Sequence, residues 1–194
     1  MNISKVGSCY GCGVCTLACG KKIIKMRRDK TGFYVPYIED ASKCTDCGLC
    51  TDVCAYLHRD KAVENSPLKS FAAWSKEKAV RHICSSGGVG FEIGRSMQEK
   101  GFHILGVRYN VKKQRAEHYV ATSAEDLLAS MGSKYIQSYT YDAFQTLDRK
   151  RKYLITGTPC QIDSFKRYAR KFRCEDNFVL LDFFCHGVPS GLVW

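Results

Sequence analysis

Two cysteine runs with the same spacing constrain this chain more than any other feature of its sequence. Eight of its 12 cysteines lie within residues 9–54, in two groups whose members are separated by two, two and three residues. The first group is Cys9, Cys12, Cys15 and Cys19, and the second is Cys44, Cys47, Cys50 and Cys54. Twelve cysteines in a small exported domain would indicate disulfides, but the first residues show no export signal. We therefore interpret the two runs as metal ligands.

The duplicated spacing is the one with which ferredoxin-type domains hold two 4Fe-4S clusters. The first three cysteines of a run wrap one cubane, and the fourth projects toward the neighbouring cluster. Cluster one should be held by Cys9, Cys12, Cys15 and Cys54, and cluster two by Cys44, Cys47, Cys50 and Cys19. The alternative is a zinc-stabilised module, but zinc modules usually separate two cysteine pairs. Gly20 and Ala55 stand where the ferredoxin run usually has proline, a departure that affects loop rigidity and cluster potential rather than binding.

Composition narrows the class of protein and of partner. No stretch approaches the roughly 18 apolar residues of a membrane helix, so we expect a cytoplasmic protein without a membrane span. The formal charge of +11 becomes +7 once eight thiolates and two cores of charge 2+ are counted. We see no nucleic-acid-binding signature beside the basic runs, so an acidic redox partner or an anionic ligand is favoured over nucleic acid. A merely solvated basic surface is the alternative. The runs are 21–28, 149–152 and 166–173.

The chain divides into a cysteine-rich part and a part with alternating strands and helices. Residues 1–60 should form the dicluster domain, with a hairpin across 23–38, and residues 61–78 a linker. Beyond it we predict helices at about 86–100, 124–131, 142–150 and 160–172, and strands at 102–109, 117–121, 153–156 and 178–183. We divide this part into an α/β region at 79–150 and the first part of a flavin or substrate region at 151–194. The predicted class is α+β, a ferredoxin-like domain followed by a partly parallel sheet.

Four segments of this second part resemble the coenzyme F-420 hydrogenase/dehydrogenase beta-subunit family. They are 85–90 (SSGGVG), 132–138 (GSKYIQS), 157–161 (GTPCQ) and 182–190 (DFFCHGVPS), and they occur in the family's order. The resemblance implies an oxidoreductase in which FAD exchanges a hydride with a small redox substrate and single electrons with the clusters. The partner implied is a ferredoxin or another hydrogenase or dehydrogenase subunit. The family's substrate domain normally continues past 186–189, so we expect that this chain is truncated and that part of its flavin site is missing.

The flavin should contact the small-residue turns that open helices in this region. The turn before the first long helix can bind a phosphate with its free amides, although such a turn is more often a simple cap. Thr158 and Pro159 suit the first positions of the last long helix, which places Cys160 where the helix dipole favours a thiolate. Cys160 could then bind a further cluster, lie beside the flavin or be an apolar buried cysteine. The residues expected to contact the cofactor are Ser85, Ser86, Gly87, Gly88, Lys134, Thr158 and Cys160.

The function predicted from the sequence is that of an iron-sulfur flavoprotein oxidoreductase or its electron-input subunit. A flavin-free electron carrier or adaptor is the alternative. Cys185 is as consistent with packing as with function, and Cys84 and Cys174 are interpreted as buried or surface thiols. His58, His82, His103 and His118 show no ligand spacing.

Overall fold

The computed structural model describes residues 2–61 and 69–193. The linker predicted at 61–78 lies in part outside these residues, at 62–68. No helix of the described chain is long and apolar enough to cross a membrane.

The cysteine-rich part is built as a duplicated loop and short helix around a hairpin. Each of its two α-helices begins after a glycine with a positive φ, Gly13 at 78° and Gly48 at 77°. Only glycine adopts this conformation without strain, so the duplication extends from the cysteines to the turns between them. The elements are a 3₁₀ turn at Ile3–Lys5, α1 at Val14–Ala18, β1 at Ile24–Arg28, β2 at Tyr34–Ile38, α2 at Leu49–Asp52, and further 3₁₀ turns at Ala41–Lys43 and Ala55–Lys61. The predicted hairpin is confirmed, with β1 and β2 antiparallel.

The second part contains a four-stranded mixed sheet in the order β4-β3-β5-β6. β3 and β4 form an antiparallel hairpin, whereas β3, β5 and β6 are parallel. The elements are α3 at Lys78–Ile83, α4 at Val89–Glu99, β3 at His103–Asn110, β4 at Arg115–Ala121, α5 at Ala124–Leu128, α6 at Tyr141–Phe144, β5 at Tyr153–Gly157, α7 at Pro159–Lys171, a 3₁₀ turn at Glu175–Asn177, and β6 at Phe178–Asp182. The predicted α+β class with a partly parallel sheet is therefore confirmed.

Three helix boundaries differ from the prediction, one because of a left-handed glycine and two because a side-chain hydrogen bond forms a local turn. α4 is capped by the left-handed Gly88 rather than by Ser85 or Ser86. α5 stops at Leu128, because the Ser130 hydroxyl donates to the Leu127 carbonyl. The helix predicted across 142–150 is limited to Tyr141–Phe144, because Asp148 accepts the backbone amides of the next residues and closes a turn.

The hydrophobic core joins the two parts of the chain. Val14 and Val53, both fully buried, pack in one cluster with Leu105, Phe144 and Phe165 of the second part. Burial of an aliphatic side chain of this size contributes roughly 1.5–3 kcal/mol to stability. The short helical turns within the cysteine runs are therefore stabilised by side chains from the sheet region, and the two parts share one interior.

The helix starts named in the sequence analysis lie at one edge of the sheet. α7 begins directly after β5, at the carboxyl end of that strand. α4 precedes β3, is joined to it by the short turn at 100–102 and packs against it, so its first residues lie at the carboxyl end of β3. Because ligands of open α/β sheets bind outside the carboxyl ends of the strands, this edge is the expected cofactor side.

Candidate cluster and cofactor site

The structure brings together the four cysteines predicted for cluster one. A single cavity is lined by thiols of both runs, including Cys54 from the second run. Its lining cysteines are Cys9, Cys12, Cys15 and Cys54. Thiols that lie far apart in the sequence thus meet in the pattern that cross-ligation requires.

Burial determines the electrostatics of this cavity. It raises the pKa of Cys12 to about 12 and that of Cys15 well above the ordinary value of a thiol. Burial also raises the pKa of Cys9, although the Gly11 amide donates to the Cys9 sulfur at 3.3 Å and opposes the rise. Crowded, buried thiols of this kind lose their protons to a bound metal rather than to water. The chemistry of the donor set therefore fits a cationic cluster.

The cysteines predicted for cluster two lie nearer the surface. Burial raises the pKa of Cys50, and the charges of the neighbouring Cys19 and Cys47 add to the rise. Cys19 and Cys44 pack against the buried cluster that contains Cys50. The Asn2 amide donates to the Cys44 sulfur at 3.5 Å. Cys47 is exposed, whereas Cys15 and Cys54 of the cluster-one set are buried.

The spacing of these thiols suits a cluster better than a single ion. Within 2–61 and 69–193, no three ligand side chains are close enough to hold one metal ion. A tetrahedral zinc site needs four ligands at about 2.0–2.3 Å from one atom. A cubane spreads its four thiolates around a larger core, and four cysteines line the first cavity.

Helix α7 contacts the dicluster domain beside one of the cluster-one cysteines, Cys12. Ser164, which is 0% exposed, lies with its hydroxyl oxygen 3.4 Å from the Cys12 sulfur and accepts the Ala55 amide at 3.1 Å. Cys160, one turn earlier on the same helix, contributes to the electrostatic environment of Cys9 and Cys12. Cluster one therefore lies next to the helix that begins at the cofactor edge. The sequence carried no signal for Ser164, because a serine inside a helix is seldom distinctive.

The start of α7 has the predicted capping residues, but the protonation state of its Cys160 thiol differs from the prediction. Thr158 is the N-cap, Pro159 is the first helical residue, and Gln161 completes a capping box. However, burial raises the pKa of Cys160 instead of the helix dipole lowering it, so the expected thiolate is corrected to a neutral thiol. The Thr158 hydroxyl, 3.1 Å from the Cys160 sulfur, opposes this rise in pKa, whereas the exposed Cys185 adds to it.

The segment 132–138 fastens the sheet region to the hairpin. The Gln137 side chain donates to the Tyr34 carbonyl at 3.0 Å and accepts the Tyr34 amide at 2.5 Å, as an added strand would. The Ser138 hydroxyl lies 2.9 Å from Nδ1 of His118, a buried side chain whose pKa is lowered by burial to about 4 and which is therefore neutral. Sequence reasoning noted this segment but missed that its polar side chains join the two parts of the chain.

The Lys134 side chain in this segment binds backbone carbonyls. Its ammonium donates to the backbone carbonyls of residues 129, 130 and 131 at 3.3, 3.0 and 2.8 Å, and burial lowers its pKa. These contacts close the carbonyl end of α5. A phosphate contact by Lys134 would have to replace them.

The turn at 85–88 is partly buried and partly open. Gly88 packs against α3: a Cβ added there would lie 2.9 Å from Val80. Ser85 accepts the Ser133 amide at 2.6 Å, which brings the two small-residue turns together. By contrast Ser86 is exposed, and nothing lies within 4 Å of a Cβ added at Gly90. The open approach to the start of α4 thus lies at Ser86 and Gly90.

Two family descriptions match consecutive parts of the chain. Residues 8–57 match the 4Fe-4S dicluster domain. Residues 70–144 match the N-terminal domain of the coenzyme F420 hydrogenase/dehydrogenase beta subunit. Among curated protein sequences, none matches.

The fold is similar to that of a solved chain from the F420-reducing [NiFe] hydrogenase complex of Methanosarcina barkeri, determined in a xenon-derivatisation study. The two chains are 19% identical, with a TM-score of 0.51 over 63% of this chain and 47% of the other. This chain thus matches about half the length of the hydrogenase chain. The two sequence matches show that this chain is an iron-sulfur protein in which a 4Fe-4S dicluster domain is followed by a domain of the coenzyme F420 hydrogenase/dehydrogenase beta subunit, N-terminal type.

Proposed function

We propose that this chain relays electrons between a partner protein, its two 4Fe-4S clusters and an FAD, as an oxidoreductase of the beta-subunit type or as its electron-input subunit. The observation that carries this proposal is the contact between the Cys12 thiol and Ser164 of α7, the helix that begins at the cofactor edge. Cluster two would exchange electrons with the partner because Cys47 is exposed. Cluster one would connect it to the second part because Cys12 contacts α7.

In this proposal the ligand sets follow the cross-ligated pattern. Cys54 would complete cluster one, and Cys19 would complete cluster two. Each run then touches both clusters, which keeps the step between them short. The partner would be a ferredoxin or a hydrogenase or dehydrogenase subunit, since the similar fold belongs to a hydrogenase complex.

The FAD would lie along the carboxyl edge of the sheet and exchange a hydride with a small redox substrate when bound. The free amides at the start of α4 would hold its pyrophosphate, with Ser85, Ser86 and the glycines after them in contact. Thr158 and Cys160 would line the same edge from α7. A flavin-free carrier is the second candidate, favoured by the carbonyl contacts that occupy Lys134.

Metal and flavin content test this proposal directly. Anaerobically purified chain should contain about eight irons and eight sulfides, because two cubanes each hold four of both. Flavin released by acid, at about one per chain, distinguishes the relay from the flavin-free carrier. Stoichiometric zinc without sulfide would contradict both.

The basic surface beside Cys19 should speed the arrival of an acidic partner. Lys21 and Lys22 are exposed and follow this cluster-two cysteine. Reversing both to Glu should slow reduction by an acidic ferredoxin several-fold at low salt, with a smaller effect at physiological salt, where charges are screened over about 8 Å. Stopped-flow reduction at two ionic strengths measures this effect.

The matched control is reversal of the exposed Lys76 and Lys78, which lie in the second part of the chain. It changes the net charge equally and should leave the rate nearer to that of the unmutated chain. We prefer the Lys21 pair to the basic run on α7, because Arg167 is already paired with Asp163 and Lys171 with Asp52. Equal rates in both double variants would show that the position of the charge is irrelevant.

A further inference from the structure

Ser164 lies in an unusual place for a helix residue, since both hydrogen bonds that its side chain makes within the described chain lead to the dicluster domain. Its hydroxyl oxygen accepts the Ala55 amide at 3.1 Å, directly after Cys54. The same oxygen lies 3.4 Å from the Cys12 sulfur. With 0% exposure, this hydroxyl reaches both cysteine runs at cluster one without competition from water.

The direction of the second bond follows from the donors available. A serine hydroxyl has one proton and two lone pairs. The Ala55 amide occupies one lone pair, which leaves the proton free for another acceptor. Once Cys12 binds iron its sulfur is a thiolate that can only accept, so the Ser164 hydroxyl must donate to it.

Hydrogen bonds to cluster sulfurs alter reduction potential. A donor stabilises the extra negative charge of the reduced cluster and moves its potential to a more positive value. The effect is strongest where water is excluded, as it is at Ser164.

We propose that Ser164, a residue of the second part of the chain, sets the reduction potential of cluster one through a hydrogen bond to the Cys12 sulfur. This inference rests on the relay proposed above. It makes Ser164 a positioning and tuning residue rather than a ligand. The second part of the chain would then set the reduction potential of cluster one, the cluster with which it exchanges electrons.

A redox titration of the 194-residue chain, followed by electron paramagnetic resonance, tests this inference. In Ser164→Ala the midpoint of one cluster should move to a more negative potential while the other stays unchanged. The signal that moves should be the one altered by Cys9→Ser and not the one altered by Cys47→Ser. Ser164→Thr, which keeps the hydroxyl, should return the midpoint toward that of the unmutated chain.

A second readout separates a hydrogen bond from mere packing. Electron-nuclear double resonance of reduced cluster one should show one fewer exchangeable proton in Ser164→Ala than in the unmutated chain. The control is Thr16→Val, because Thr16 is a buried hydroxyl of the same domain that donates to the Gly13 carbonyl at 2.8 Å and not to a sulfur. This control should retain the midpoint and all coupled protons.

The outcomes distinguish this inference from the relay itself. If cluster one assembles in Ser164→Ala with an unmoved midpoint and the same coupled protons, the tuning role is wrong and the relay stands. If the unmutated chain lacks a cluster at Cys12, both are wrong.

Discussion

Replacing Cys19 by alanine should remove cluster two and leave cluster one in place. Cys19 belongs to the first run in sequence, but it packs against the buried cluster that contains Cys50 of the second run. If the cross-ligated assignment is right, the variant loses the fourth ligand of the cluster held by Cys44, Cys47 and Cys50. Iron should fall from about eight to about four per chain, and one of the two reduced-cluster signals should disappear.

The matched control for this experiment is Cys174→Ala. Cys174 is also a buried thiol, but it packs in the shared core and belongs to neither run. Its loss should lower stability somewhat and leave the iron content unchanged. If Cys19→Ala instead lost only the cluster held by Cys9, Cys12 and Cys15, each run would hold its own cluster and the cross-ligated assignment would fail.

Replacing Gly90 by glutamate should abolish flavin retention while leaving about eight irons in the chain. The variant places a carboxylate in the first turn of α4, where the proposed pyrophosphate needs free amides and no negative charge. The site has room for the side chain, because nothing lies within 4 Å of a Cβ added there. Flavin absorption after gel filtration, together with iron content, measures the effect.

Gly90 is a sharper position for this test than Gly88. Gly88 has a φ of 79° and packs against Val80, so a larger residue there would disturb the fold whether or not a phosphate binds. The control is Ser96→Glu, which adds the same side chain at an exposed position of the same helix, away from its start. Stoichiometric FAD in Gly90→Glu would mean that the turn is only a helix cap.

The sequence was sufficient to predict features that depend on local spacing. The cysteine runs, the hairpin between them and the order of strands and helices follow from patterns a few residues long. The capping residues Thr158 and Pro159 are of this kind, and the structure confirms them. Helix ends were less predictable, because they depend on side chains such as Ser130 that compete for backbone carbonyls.

Features that depend on contacts distant in sequence could not be predicted in this way. The Gln137 contact with Tyr34 spans 103 residues and the Ser164 contact with Cys12 spans 152. The state of Cys160 was predicted wrongly for a related reason: its position in the first helical turn favours a thiolate, but burial by the surrounding fold raises its pKa.

The shared interior links the lifetime of this protein to the supply of iron. Val14 and Val53 each lie between two cysteines of a run, yet they pack with Phe144 and Phe165 of the sheet region. When oxygen or iron shortage strips the clusters, the loops that position both valines lose their anchor, and the sheet loses part of its packing with them. The entire chain, rather than the dicluster module alone, should then open more readily to proteases.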